Sequence, residues 1–206
     1  AIKNIISSAH EGITDNELLQ IARRTIVDEG CEGWDHLTMS IGSSDPEAPG
    51  IGTKMQKGDI SRFDIGAIWK GYVSDVSREA VIGEAPSGAK EAMETMIQVQ
   101  EFCVDNIKPG INAKSLFKDA TKFFKSLGKG GNCYITGHSI GLECEETIFF
   151  SPVKKIDMEF EPNMVLDIEV WQSFKNVGLI GIEDCYRITT SNCERLSSLE
   201  KDIFVI

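Results

Sequence analysis

Hydrophobic residues recur with a helical period in two stretches of the chain, and each stretch opens on the dipeptide Gly-Ile. These stretches are residues 12–30 and 110–128, and in both the apolar positions fall three or four residues apart before a closing glycine. Thr14 and Glu17 have the spacing of a capping box at the start of the first helix. A third helical pattern runs from about residue 87 to 107. The chain therefore contains at least one pair of similar helices.

β-type sequence with acidic residues follows each of the two similar helices. In the first half, residues 59–66 and 72–77 flank a turn at Trp69-Lys70-Gly71, and in the second half residues 164–170 and 181–188 flank a turn at 175–178. Similar helices followed by similar hairpins indicate an internal duplication. We therefore predict an α/β (α+β) fold with two related halves around a shared cleft.

The boundary between the halves is predicted near residue 85, where glycine and proline interrupt the pattern. The first half is then about 1–85 and the second about 86–206, within a single domain. A long helix precedes the second repeat, whereas only about ten residues precede the first. We expect that the chain lacks the front of its first helix and a segment, or domain, before it.

Composition and charge exclude several classes of partner. The 206 residues include 21 Lys+Arg and 32 Asp+Glu, for a net charge of −11, so nucleic acid and anionic membranes are not expected partners. No apolar run approaches the ~20 residues that a membrane span needs. The six cysteines form no CxxC pair, which favours a reducing, cytoplasmic setting. We also expect a homodimer, and Trp69 at the first hairpin turn either caps the sheet or forms a dimer contact.

Carboxylates in apolar strands are the strongest chemical signal in the sequence. If the first turn centres on Trp69 and Lys70, Asp64 and Asp75 face one another across the hairpin. Glu169 and Glu183 lie symmetrically about the second turn. A buried carboxylate needs a positive partner, and four facing carboxylates would neutralise two divalent cations. The hairpins therefore predict a metal site.

A histidine between glycines offers a fifth ligand. His138 stands in Gly-His-Ser-Ile-Gly at residues 137–141, directly after a strand-like segment, and its small neighbours let an imidazole approach a metal. Taken alone, a single histidine is more often structural than a ligand. His36 shows no partner in the sequence.

These motifs in this order resemble the pita-bread metallopeptidase family, which includes methionine aminopeptidase, aminopeptidase P, prolidase and creatinase. The motifs are Asp64 and Asp75 eleven residues apart, Gly-His-Ser-Ile-Gly, a Leu-Asp-Ile-Glu run that ends at Glu169, and Gly-Ile-Glu-Asp at 181–184. The run Gly-Tyr-Val-Ser-Asp-Val-Ser-Arg at 71–78 is most similar to the Xaa-Pro peptidase branch. The resemblance covers essentially the whole chain and implies a duplicated pita-bread fold with a curved, mainly antiparallel sheet covered by helices.

The resemblance implies a role for each matched residue in a dinuclear metallo-hydrolase that cleaves small peptides. Asp75 and Glu183 would bridge the two ions, and Glu169 would accept a proton from the attacking water. Manganese is the expected metal, with cobalt, iron or zinc as alternatives. The five implied ligands are Asp64, Asp75, His138, Glu169 and Glu183.

The sequence departs from the family at two auxiliary histidines. Family members carry one of them seven residues after the ligand histidine, where this chain has Glu145, and the other in the loop that corresponds to residues 43–52, where this chain has no histidine. Both donors to a developing oxyanion are therefore expected to be missing, and Glu145 would act as a base or favour a cationic substrate. Three functions remain open: an Xaa-Pro peptidase, an enzyme of the same fold on a non-peptide substrate, and a binding module without turnover.

Overall fold

Four helices flank the sheet in this computed structural model, which describes residues 1–42, 45–46 and 48–206. The capping box predicted at the second helix is present: the hydroxyl of Thr14 accepts from the backbone N–H of Glu17, and the Glu17 carboxylate accepts from the backbone N–H of Thr14. None of the described helices is long and apolar enough to cross a bilayer. The helices are α1 Ile2–Ser8, α2 Asp15–Asp28, α3 Ala89–Asn106 and α4 Ala113–Ser126.

Ten strands form one curled sheet in the described part of the chain, and their pairing is antiparallel except between the last strand and the fourth. The main path through the sheet is β1-β2-β4-β8-β7-β5-β6, with β3, β9 and β10 added beside it. The strands are β1 Gly33–Ile41, β2 Ile60–Trp69, β3 Tyr72–Val73, β4 Val76–Val81, β5 Tyr134–Ser139, β6 Thr147–Phe150, β7 Val165–Phe174, β8 Gly178–Ile188, β9 Cys193–Arg195 and β10 Ile203–Val205.

Equivalent hydrogen bonds hold the two Gly-Ile repeats, which confirms the predicted duplicated fold. The N–H of Gly12 donates to the carbonyl of Met55 over 2.9 Å, and the N–H of Gly110 donates to the carbonyl of Phe160 over the same distance. In each case the apolar partner also donates back to the isoleucine that follows the glycine. The same backbone arrangement therefore precedes α2 and α4.

The two hairpins differ in how well the sequence predicts their register. In the second hairpin Glu169 pairs directly with Glu183, as predicted. In the first hairpin the prediction is wrong, because Asp64 pairs with Ser77 and not with Asp75. The turn lies one position later, with Trp69 paired to Tyr72, and Asp75 falls in the break between β3 and β4.

Alternation along the strands separates an apolar face from a polar face. On β2, Phe63 packs into the cluster beneath α1 and α2, whereas Arg62 and Asp64 point to the opposite face. On β7, Ile168 belongs to the core beneath α3 and α4, whereas Glu169 points away from it. Each half therefore has its own apolar core, and the polar faces of β2, β4, β5, β7 and β8 share one side of the sheet.

Candidate metal centre

The structure brings the five predicted ligands together at one cavity of about 290 Å³. They come from β2, the break between β3 and β4, β5, β7 and β8, and every one of them is buried. Donor atoms of Asp75, His138 and Glu183 lie within 4.8 Å of one another, and so do those of Asp64, Glu169 and Glu183. Glu183 belongs to both groups and therefore lies between them.

His138 is oriented so that one ring nitrogen faces the carboxylates. Its Nδ1 lies 3.0 Å from the carbonyl oxygen of Cys144, which fixes the ring by accepting a hydrogen bond from that nitrogen. Its Nε2 is then left as an acceptor, 4.0 Å from Oδ2 of Asp75. Two donors that each lie ~2.0–2.2 Å from one ion can be up to ~4.4 Å apart, so this separation can accommodate a shared ion. The geometry of His138 and Asp75 therefore fits a shared divalent ion.

Two glycines near His138 in the sequence make room for the side chains of Phe150 and Glu146. A Cβ atom at Gly137 would lie 2.5 Å from the ring of Phe150, and one at Gly141 would lie 2.7 Å from the carboxylate of Glu146. Any side chain at either position would push these neighbours away. The two glycines that flank His138 in the sequence are therefore explained by close packing.

Burial and the repulsion between neighbouring carboxylates shift the pKa values of the acids in the site. Burial raises the pKa of Asp75, and the charge of Asp64 raises it further. Burial also raises the pKa of Glu183, with added repulsion from Asp64 and Asp75. At Asp64 burial acts in the same direction, but the neighbouring Arg62 cation outweighs it and the pKa is lowered. A bound cation would offset this burial and repulsion by stabilising the ionised carboxylates, so the cluster favours cation binding.

Arg62 lies among the predicted ligands, and sequence analysis did not assign it to the site. Its Nη1 donates to Oδ2 of Asp64 over 2.9 Å, and its Nη2 donates to Oε1 of Glu169 over 2.7 Å. The same Nη2 lies 3.4 Å from Oε2 of Glu183. Strand alternation is the signal that could have found Arg62, because it stands two residues before Asp64 and shares its face.

His36 also lies in the site, contrary to the expectation that it has no partner. Its Nε2 is 3.2 Å from Oδ1 of Asp64 and 3.1 Å from Oδ1 of Asp75. A Cβ atom at Gly66 would fall 2.4 Å from the imidazole, so this glycine makes room for it. His36 stands at an irregularity of β1 between Trp34 and Leu37, and this irregularity is not visible in the hydrophobic pattern. The site thus contains a second histidine, from a position other than the two auxiliary positions.

Cys144 and Glu145 lie at the mouth of the cavity. The thiol of Cys144 donates to Oδ2 of Asp75 over 3.0 Å, and burial raises the pKa of this thiol to about 12. Glu145 lines the cavity but is exposed, as is the neighbouring Asp35. The mouth is therefore acidic. In the loop at 43–52, Ser43, Ser44 and Glu47 lie outside the described residues.

Arg78 supports β8 directly behind Glu183. Its Nη1 donates to the backbone carbonyl of Glu183 over 2.8 Å, and its Nη2 donates to Oδ1 of Asp184 over 2.6 Å. Both Arg78 and Asp184 are fully buried. This ion pair fixes the strand that carries Glu183 and leaves the Glu183 carboxylate itself to the cavity.

Comparison with known proteins identifies relatives of the whole chain. The family described as metallopeptidase family M24 matches residues 1–190. An Xaa-Pro dipeptidase of Pyrococcus horikoshii is 31% identical over 152 residues, which cover 73% of this chain and 42% of the relative. An uncharacterised peptidase of Bacillus subtilis, YqhT, is 28% identical over 214 residues, which cover 100% of this chain and 59% of the relative. The chain thus spans about half the length of these relatives.

Solved structures share the fold. An X-Pro aminopeptidase from Thermotoga maritima superposes with a TM-score of 0.87 at 26% identity, covering 100% of this chain and 58% of that one. A prolidase from Pyrococcus horikoshii superposes with a TM-score of 0.86 at 28% identity, covering 97% of this chain and 58% of that one. The pita-bread fold predicted from the motifs is therefore confirmed.

Proposed function

Since this chain belongs to metallopeptidase family M24, we propose that its carboxylate-lined cavity hydrolyses small peptides of the Xaa-Pro type with a divalent metal as cofactor. The observation that carries the proposal is the convergence of five buried side chains from separate segments on one point. An Xaa-Pro dipeptidase and a prolidase are among the proteins that resemble this chain, which supports the choice of substrate class. The proposed ligands are Asp64, Asp75, His138, Glu169 and Glu183.

The donor set favours a hard or borderline metal. Four carboxylates and one imidazole suit manganese, with cobalt, iron or zinc as alternatives, and no thiolate is needed. When bound, such an ion polarises a carbonyl oxygen and lowers the pKa of a coordinated water. The four carboxylates and the family motifs predict two ions. The Arg62 guanidinium competes with one of these ions for the carboxylates of Asp64 and Glu169.

Glu169 and His36 are the groups that we propose for proton transfer and carbonyl binding. The Glu169 carboxylate is buried beside the metal ligands, where it would accept a proton from the attacking water and pass it to the leaving amine. His36 reaches the cavity with Nε2, where it would donate to the developing oxyanion. His36 would thereby replace the auxiliary histidines that the sequence lacks.

The shape and charge of the cavity favour a small substrate with a free amino group. A volume of about 290 Å³ is at the lower end for ligand sites, which are ~300–1,000 Å³. The described lining residues include Asp35 and Glu145 at the mouth but neither lysine nor arginine. The carboxylates at the mouth would therefore attract an ammonium group.

The test is hydrolysis of matched peptides by the manganese-loaded chain. We expect cleavage of Xaa-Pro dipeptides and short Xaa-Pro peptides, and weaker cleavage once the amino group is acetylated. Glu169→Gln should lower kcat by ~10²–10⁴, whereas Glu161→Gln, the same change at an exposed position, should leave kcat unchanged. If no peptide of any sequence is cleaved with manganese, cobalt, iron or zinc, the peptidase proposal fails.

The acidic mouth favours one second candidate, an enzyme of the same fold that acts on a cationic, non-peptide small molecule. Glu145 would then contact the cation directly. Peptide assays of the wild type and of Glu145→His separate the two candidates. The peptidase proposal expects the wild type itself to cleave Xaa-Pro peptides, whereas under the alternative the wild type should scarcely cleave them and Glu145→His should raise the activity by restoring an oxyanion donor.

A further inference from the structure

We propose that the guanidinium of Arg62 takes the place of one of two cations, so that this site holds a single divalent ion on Asp75, His138 and Glu183. The inference rests on the proposed function, because it concerns how many ions the same ligand cluster binds. The observation behind it is that Arg62 contacts three of the five proposed ligands at once: Asp64, Glu169 and Glu183.

Arg62 and a second ion would need the same space. The Nη2 atom lies 2.7 Å from Oε1 of Glu169 and 3.4 Å from Oε2 of Glu183, on the side where these two carboxylates approach Asp64. A divalent ion shared by these oxygens would lie ~2.0–2.2 Å from each, where it would overlap the guanidinium nitrogen. The two cations would also repel one another at such close approach.

Arg62 is fixed by residues outside the ligand cluster. Its Nη2 donates to the Ser77 hydroxyl over 2.9 Å, and its Nη1 donates to the carbonyl of Pro46 over 3.1 Å. The side chain is only 1% exposed, so it has no open path to solvent. To admit a second ion, Arg62 would have to give up its hydrogen bonds to Ser77 and Pro46. A buried guanidinium that loses its partners costs free energy.

Arg62 contacts only Glu183 in the other group of ligands, which consists of Asp75, His138 and Glu183. The described contacts of Arg62 include neither Asp75 nor His138. Nε2 of His138 and Oδ2 of Asp75 are 4.0 Å apart, a separation that suits a common ion. Glu183 can offer one oxygen to this ion while the other remains near Arg62. One divalent position is therefore free of Arg62, and the described groups that contact Asp75 there are the His36 imidazole and the Cys144 thiol.

The experiment is to count manganese ions in the intact chain and in two variants. Elemental analysis after removal of excess metal should find one ion in the wild type, and its electron paramagnetic resonance spectrum should show the six lines of isolated manganese. Arg62→Met removes the competing cation and should bind two ions, with the signal of a coupled pair. Arg62→Lys keeps a positive charge and should remain at one ion. Arg187→Met, at an exposed arginine, serves as the control and should not change the count.

The outcomes distinguish this inference from the proposed function. Two ions of similar affinity in the wild type would overturn the role of Arg62 and leave the metallopeptidase proposal standing. No ion in any variant would overturn both. One ion in folded Arg62→Met would also overturn the role of Arg62. If Arg62→Met does not fold, Arg62→Gln takes its place, with two ions expected and one ion overturning the inference.

Discussion

Glu79 provides a test of the electrostatics of the site that does not depend on metal. It lies on β4 opposite Arg62, is fully buried, and its Oε1 accepts from the backbone N–H of Gly181 over 2.9 Å. Within the described residues its Oε2 has no hydrogen-bond partner. Burial raises its pKa from an ordinary value of 4.5 to about 8, although the Arg62 charge acts against this. The folded protein therefore favours the protonated acid.

Glu79→Gln should stabilise the protein increasingly as the pH rises. A folded-state pKa above the unfolded value means that the stability contributed by the proton is present at low pH and is lost between 4.5 and about 8. At ~1.36 kcal/mol per pKa unit, the cost to the wild type is roughly 1 kcal/mol at pH 5, about 3 at pH 7 and about 5 at pH 9. Glutamine removes this cost and keeps an acceptor for Gly181.

The assay is thermal and urea unfolding of both proteins at pH 5, 7 and 9 in chelator-containing buffer. One kcal/mol corresponds to about 2–4 °C in a chain of this size, so the advantage of the variant should grow by on the order of 10 °C from pH 5 to pH 9. Glu161→Gln, at an exposed position, should give no pH-dependent difference. Equal differences between wild type and Glu79→Gln at all three pH values would show that Glu79 does not have a raised pKa in the folded protein.

Three further changes test the proposed chemistry. Glu169→Gln should lower kcat by ~10²–10⁴ because it removes the proton acceptor, and an unchanged kcat would contradict this role. His36→Ala should lower kcat by ~10²–10³ with little effect on KM, as expected for loss of an oxyanion donor, whereas loss of bound metal would identify His36 as a ligand instead. Adding manganese to the metal-free protein at a hundredfold excess over Kd should raise the free energy of unfolding by about 2.7 kcal/mol, and His138→Ala should abolish this increase. A gain that survives in His138→Ala would place the ion elsewhere.

The parts of the fold and site that could be predicted are those set by local pattern. The capping box at Thr14 and the symmetric placement of Glu169 and Glu183 depend only on spacing within one element or one hairpin, and both are found. The family motifs also identified the fold. Such features are visible in sequence because neighbouring residues determine them.

The parts that were missed depend on irregular backbone or on contacts between distant strands. The first hairpin turn lies one position later than the sequence pattern suggests, and this shift alone moves Asp75 away from the position opposite Asp64. The register irregularity in β1 brings the His36 imidazole into contact with the carboxylates of Asp64 and Asp75. Arg62 could be assigned to the Asp64 face, but its contact with Glu169 joins residues 107 positions apart. Only the tertiary structure brings that pair together.

The most direct test of the central claim is a crystal structure of the manganese-loaded protein with anomalous scattering recorded at the manganese edge. If a divalent ion binds at the proposed site, an anomalous peak should lie within ~2.0–2.3 Å of donor atoms of Asp75, His138 and Glu183. An empty cluster in protein shown to be loaded, or a peak coordinated by none of these side chains, would contradict it.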